Sequence, residues 1–270
     1  MTGSSYVVGV DGSAPADAAL SWAVRAARRD GAALRLVHVV DPAAVPGIEA
    51  LDAAEEAGES FVAALCERLR GADPGLDVAG ESLTGAPIRT LARRVAPDAT
   101  LVVGTHKTGY VSGRLLGSRS VQFALAAPGT VVVVPVTDLR FRDGVVAGID
   151  RVETAALVAR RAAREAVERG MRLTLVHAVP PALADTARGG ADTPLALAAD
   201  AAREVEGMLE VRSRVSTRSP AEALLDASRG SALLVVGPGA TDEERPPLGT
   251  TLHEVLLNAN APVLVARVPR

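Results

Sequence analysis

The chain has 270 residues, 48% hydrophobic and only 2% aromatic, with a formal net charge of −3, a length that suits one large domain or two ordinary ones. With this mild acidity nothing suggests a global nucleic-acid-binding surface, and no apolar run approaches the roughly 20 residues needed to span a membrane. A single cysteine, Cys66, excludes an intramolecular disulfide framework or a cysteine-based zinc cage.

The N-terminal residues Met1–Ser5 lack the basic start and apolar stretch of a signal peptide, so the expected location is cytoplasmic. Tyr6–Asp11 is an apolar run ending in an acid, and the Ala-rich amphipathic stretch Ala16–Arg29 follows, stopping before Gly31. Leu34–Val40 reads as a buried strand. Asp41–Ala57 and Gly71–Gly75 are rich in Pro, Gly, Asp and Ala and read as loops. Between them, Phe61–Leu69 has a helical pattern in which Cys66 is a core residue. Pro87–Val95 reads as a helix, Leu101–Gly104 as a strand ending in Gly, Arg119–Ala127 as a helix, and Val131–Val134 as a closing strand.

The polar stretch Thr137–Arg142 then precedes a second pass through the same order. Val145–Asp150 repeats Tyr6–Asp11, Thr154–Arg169 repeats the first helix before Gly170, and Leu173–Val179 repeats the second strand. Val179–Pro194 reads as a loop; Pro220–Ser228, Leu234–Gly237 and Val263–Val265 match their counterparts in the first copy. The offset is 139 residues at the acid (11 and 150), 133 at the strand-end Gly (104 and 237) and 132 at a later Gly (117 and 249), so the losses of the second copy fall in loops. Alternating strands and helices predict an α/β fold: two tandem doubly wound parallel-sheet domains, residues 1–138 and 143–270.

In such a sheet, ligands bind at the carboxyl ends of the strands near the topological switch point. In the first copy those ends carry Gly9-Val10-Asp11, Val39-Val40-Asp41 and the long loop from Gly104 to Ser118. Glycines permit close approach of backbone N–H groups to a ligand, and successive N–H groups form a concavity for anions. The following helix adds its free N–H groups and the positive end of its dipole. Lys107, Arg114 and Arg119 supply cations, and Ser118 either caps the helix or bonds a phosphate oxygen. Lys107 is the only lysine among 29 basic side chains. Such a loop suits a di- or triphosphate. Asp11 and Ser13 are also good helix N-caps, and His38 and His177, at equivalent strand positions, read as structural. No Walker A loop, Gly-x-Ser-x-Gly elbow, His-Glu-x-x-His or Cys-x-x-Cys is present.

The order and spacing resemble the universal stress protein family. That family has Gly, two residues, Gly, nine residues, Gly, then Ser or Thr in this loop. Here Gly104, Gly117 and Ser118 keep the spacing, with Lys107 in place of the middle Gly. The resemblance implies that Asp11 lies near adenine and ribose, that Val39 meets adenine through its backbone, that Gly104 packs under ribose and phosphates, and that Gly117 and Ser118 bind phosphates. It implies ATP, with or without Mg²⁺, and pairing of the two copies through their last strands into an internal pseudo-twofold dimer. It also allows a homodimer of whole chains.

The second copy keeps Asp150 but departs elsewhere. Its loop is one residue short, places Asp242, Glu243 and Glu244 where phosphates would lie, and carries Pro246 and Pro247, while Ala178 replaces Val39. Like charges repel, and proline removes N–H donors. The expectation is one ATP per chain, in the first domain, with the second as a structural partner. The expected role is a nucleotide-dependent stress-response module with an unidentified protein partner, not a turnover enzyme. A nucleotide-independent scaffold and a slow ATPase or autokinase are the alternatives.

Overall fold

A computed structural model of the chain describes residues 5–105, 119–188, 190–239 and 249–267. These fall into two compact units, residues 5–105 with 119–136 and residues 137–267. In the first unit the elements run β1 (Ser5–Gly9), α1 (Ala14–Asp30), β2 (Ala33–Val40), α2 (Ile48–Ala72), β3 (Val78–Thr84), α3 (Pro87–Ala92), β4 (Thr100–Thr105), α4 (Arg119–Ala126) and β5 (Thr130–Pro135). Its strands are ordered β3-β2-β1-β4-β5, all parallel. The strand order reverses direction at β1, so the crevice between the carboxyl ends of β1 and β4 is the switch point.

The second unit repeats this plan with β6 (Val145–Gly148), α5 (Val152–Arg169), β7 (Leu173–Ala178), α6 (Ala184–Arg188), α7 (Pro194–Arg203), β8 (Val211–Ser216), α8 (Pro220–Ala227), β9 (Leu233–Val236), α9 (Thr250–Asn258) and β10 (Val263–Val265). Its order is β8-β7-β6-β9-β10, again all parallel. The expected α/β class with parallel sheets is the observed one.

The central strands are apolar without alternation because helices cover both faces. Leu101–Val102 of β4 and Leu234–Val235 of β9 are fully buried, and burying each such side chain contributes about 1.5–3 kcal/mol. Helix α1 is capped at its start by Ser13, whose hydroxyl accepts from Ala16 N, and at its end by Gly31 in the left-handed region (φ 60°). Its Trp22 is 6% exposed and meets Tyr6 of β1 edge-on at 6.1 Å.

Two loop expectations are corrected. Asp41–Ala57 contains a short 3₁₀ turn, Pro42–Ala44, and the first ten residues of α2, Ile48–Ala57. Ala and Glu dominate that stretch, and both are good helix formers; the Pro and Gly at its start punctuate only the turn. Val179–Pro194 likewise holds a 3₁₀ turn, Pro181–Leu183, and α6. Strands β3 and β8 lie outside the sequence assignments: each flanks its unit's order beside one partner strand, and Glu81 and Arg212–Arg214 break the apolar pattern.

Candidate nucleotide site and its second copy

The end of β1 is held by a repeated device. Val10 N donates to Val37 O at 3.0 Å, and His38 Nδ1 lies 2.8 Å from Val10 O. A carbonyl only accepts, so Nδ1 carries the proton. In the second unit Ile149 N donates to Val176 O at 2.8 Å, and His177 Nδ1 donates to Ile149 O at 2.7 Å. Each histidine thus fastens the residue before the strand-end acid, which is the structural role expected from their recurrence. Asp11 and Asp150 emerge next, both exposed.

Beyond that point the copies diverge. Asp11 Oδ1 accepts from Ser13 N at 3.0 Å across Gly12, which sits at φ 74°. This Asx turn sets Ser13 as the cap of α1, so the capping and ligand readings of Asp11 are compatible. In the second unit Arg151 stands at the sequence position of Gly12 and is itself the N-cap of α5, at φ −137° and without a side-chain cap hydrogen bond. Arg151 Nε pairs with Asp150 Oδ2 at 3.3 Å.

Val39 is half-buried on β2. The pairing of β1 with β2 ends at Gly9 opposite Val37, so Val39 lies beyond the last β1 register position, paired only to Leu83 of β3. Asp41, next to this end, accepts from Ala43 N at 3.0 Å and caps the 3₁₀ turn. Arg119 is exposed at the first residue of α4. Lys107, Arg114, Gly117 and Ser118 lie outside the described residues. Gly9, Val10, Asp11 and Gly104 therefore meet at the carboxyl ends of neighbouring strands β1 and β4, with Val39 on the adjoining β2.

Both strand-end glycines have packing reasons that the sequence did not reveal. A Cβ on Gly104 would lie 2.0 Å from Pro15 O and 2.2 Å from Pro15 C; the first turn of α1 sits directly on β4. A Cβ on Gly9 would lie 2.8 Å from Leu91 Cδ2 of α3. The equivalent Gly148 has Leu224 of α8 at 3.0 Å, so a leucine caps the strand end in both units. The signal was available in the pairing of Pro87–Val95 with Pro220–Ser228, whose fifth residue is Leu in each.

The second unit, expected to be a structural partner, has a cavity of 310 Å³ at the same strand ends. Gly148, Ile149 and Asp150 from the end of β6, Leu224 from α8, and Gly249 and Thr250 from the start of α9 lie on it. Its shape follows from a shift of the first helix. Gly237, the counterpart of Gly104, has only Val158 Cγ2 within 4 Å of a built Cβ among the described residues, at 3.3 Å. Thr154 stands where Pro15 stands in the first unit, and it lines the cavity instead of closing on the strand.

Cys66 is buried on α2, as its helical pattern suggested, and a Cβ on Gly80 of β3 would come within 2.9 Å of its sulfur. Burial pushes its thiol pKa up, partly offset by Arg70. Among the described residues no helix is long and apolar enough to cross a membrane, and no group of three or more His, Cys, Asp or Glu is arranged to hold a metal ion.

Comparison with known proteins agrees with this geometry. The solved structure of a universal stress protein from Archaeoglobus fulgidus superposes with a TM-score of 0.78 at 17% identity, covering 99% of both chains. A universal stress protein of Mycolicibacterium smegmatis is 31% identical over 97% of this chain and 96% of its own. One from Mycobacterium tuberculosis is 30% identical over 100% of this chain and 96% of its own. The sequence profile of the universal stress protein family matches residues 5–135 and again 142–267. The chain therefore belongs to the universal stress protein family and carries the family's domain twice in tandem.

Proposed function

We propose that the first unit binds one ATP, with or without Mg²⁺, and that the chain is a cytoplasmic stress-response module whose nucleotide state alters its contacts with a protein partner. The observation that carries this reading is the meeting of Asp11 and Gly104 at the switch point of the first unit's parallel sheet. The residues fit an adenine nucleotide. Asp11 is exposed and spends one described hydrogen bond on Ser13 N, and a carboxylate has several further acceptor positions for ribose hydroxyls or the adenine amino group. Arg119 stands at the start of α4, where the helix dipole favours phosphate. Lys107 and Arg114 add charge in the connecting loop. Mg²⁺ enters in this reading with the phosphates, since it is commonly held by phosphates and water. The chain's own groups bind and orient; no nucleophile–base pair is called on, so turnover is not part of the role.

Equilibrium titration with ATP, AMP and cyclic AMP tests the reading. Saturable ATP binding weakened by Asp11→Ala supports it. Absence of binding by any of the three leaves a nucleotide-independent scaffold. Steady ATP turnover abolished by loop substitutions overturns the non-enzymatic role.

A further inference from the structure

We propose that the second unit is a ligand site in its own right, selective for a neutral purine nucleoside over its phosphorylated forms. The choice of a nucleoside rests on the adenine-nucleotide reading of the first unit; the existence and neutrality of the site rest on the second unit alone.

The cavity at the ends of β6 and β9 has 310 Å³, at the lower end of the roughly 300–1,000 Å³ usual for small-molecule sites. It retains Asp150 and Gly237, the counterparts of Asp11 and Gly104, together with the histidine-fastened Ile149 carbonyl and Leu224, which packs on the strand end as Leu91 does in the first unit. Ala178 in place of Val39 enlarges the side toward β7. The first turn of α5 stands off from Gly237, whereas α1 touches Gly104 through Pro15, so the second unit has space beside its helix that the first unit fills with backbone.

What the second unit lacks is charge for phosphate. Among the described lining residues the charged ones are Asp150 and Arg151, and these two pair with each other at 3.3 Å. Arg119 of the first unit is replaced by Thr251, which lines the cavity. A polyphosphate meets no net positive charge on this described lining, while Thr154, Thr250 and Thr251 also line the cavity, and a threonine hydroxyl both donates and accepts; that of Thr154 donates to Arg151 O at 3.5 Å. A mostly apolar wall with a few polar side chains is the ordinary composition of a small-molecule pocket.

The test is calorimetric titration of the full chain with adenosine while ATP is held at saturation, so that the first unit is occupied. One adenosine per chain is expected to bind. Ala178→Phe, which fills the cavity from β7, is expected to weaken it at least tenfold without changing ATP binding. Thr154→Phe fills the cavity from α5 and should do the same, with thermal unfolding showing that each variant is folded. The proposal is overturned if adenosine gives no saturable binding beside ATP, if folded Ala178→Phe and Thr154→Phe both leave it unchanged, or if ATP displaces adenosine from this unit with equal affinity. Failure of the first unit's reading looks different: ATP does not bind the wild-type chain, yet adenosine binding stays sensitive to Ala178→Phe.

Discussion

Gly104→Ala and Gly237→Ala add the same methyl group at equivalent strand ends, and the structure assigns them different costs. At Gly104 the new Cβ would lie 2.0 Å from Pro15 O, 2.2 Å from Pro15 C and 2.7 Å from Pro15 Cβ. Two of those atoms are backbone, so relief requires moving the first turn of α1 against β4, or β4 against its neighbours β1 and β5. Inserting atoms into packed structure costs about 1–3 kcal/mol when side chains can yield. With backbone as the obstacle we place Gly104→Ala at the top of that range, about 3 kcal/mol. At Gly237 the nearest described atom is a side-chain methyl, Val158 Cγ2 at 3.3 Å, which yields by a few tenths of an ångström, so a cost within about 1 kcal/mol is expected. The assay is urea unfolding followed by fluorescence of Trp22, the chain's single tryptophan, buried on α1 of the first unit. With a urea slope of about 1–3 kcal/mol per molar, Gly104→Ala should lower the midpoint by roughly 1–3 M. Gly237→Ala should barely move it. A Trp22 transition unmoved by Gly104→Ala would refute the claim that α1 seats on that glycine.

His38→Phe and His177→Phe each remove a donor to a strand-end carbonyl, and each should destabilise its own unit by about 1–3 kcal/mol in chemical denaturation; equal stability in both variants would contradict the fastening role. Glu165, 2% exposed on α5, pairs with Arg161 at 2.7 Å and with Arg169. Glu165→Leu should cost about 1–3 kcal/mol by taking this carboxylate from the half-buried Arg161 and Arg169, and Glu165→Leu with Arg169→Met should recover most of it in the same unfolding assay. Because burial pushes the Cys66 thiol pKa up, the thiolate is scarce near neutral pH and becomes more abundant as pH rises. Cys66 should resist alkylation at pH 8 in native buffer and react fully in urea; rapid native labelling would contradict its burial. Lys107→Ala should weaken ATP about tenfold or more while sparing adenosine at the first unit, read in an Ala178→Phe background, the loss expected of one charge-assisted hydrogen bond; equal losses for both ligands would show that Lys107 does not read phosphate.

The tandem architecture was legible because a fold buried on both sheet faces writes itself as uninterrupted apolar strands, and this chain writes it twice. Tyr6–Asp11 and Val145–Asp150 announced their strand ends by a change from apolar residues to an acid. Helix α2 was half missed because Pro42, Pro46 and Gly47 punctuate the turn before it, and composition alone does not show where punctuation stops. The edge-lying β3 and β8 escaped because they are half-polar strands. Residue type and spacing placed Asp11, Val39 and Gly104 at the ends of their strands, where they lie, but did not reveal what surrounds them. The glycine requirement at 104 comes from Pro15, far away in sequence, and no local pattern encodes such a contact. The cavity of the second unit was hidden for the same reason: the acids and prolines of 242–247 argued for a lost site, while the retreat of α5 from Gly237 is visible only in three dimensions.

The central claim is that ATP binds once per chain, in the first unit. Calorimetric titration of ATP into the wild-type chain, Asp11→Ala and Asp150→Ala tests it most directly. The account predicts one ATP per wild-type chain, affinity about tenfold or more weaker in Asp11→Ala through loss of a charge-assisted hydrogen bond, and no change in Asp150→Ala. Two equivalent ATP sites, or ATP binding that depends on Asp150 and not on Asp11, would contradict it.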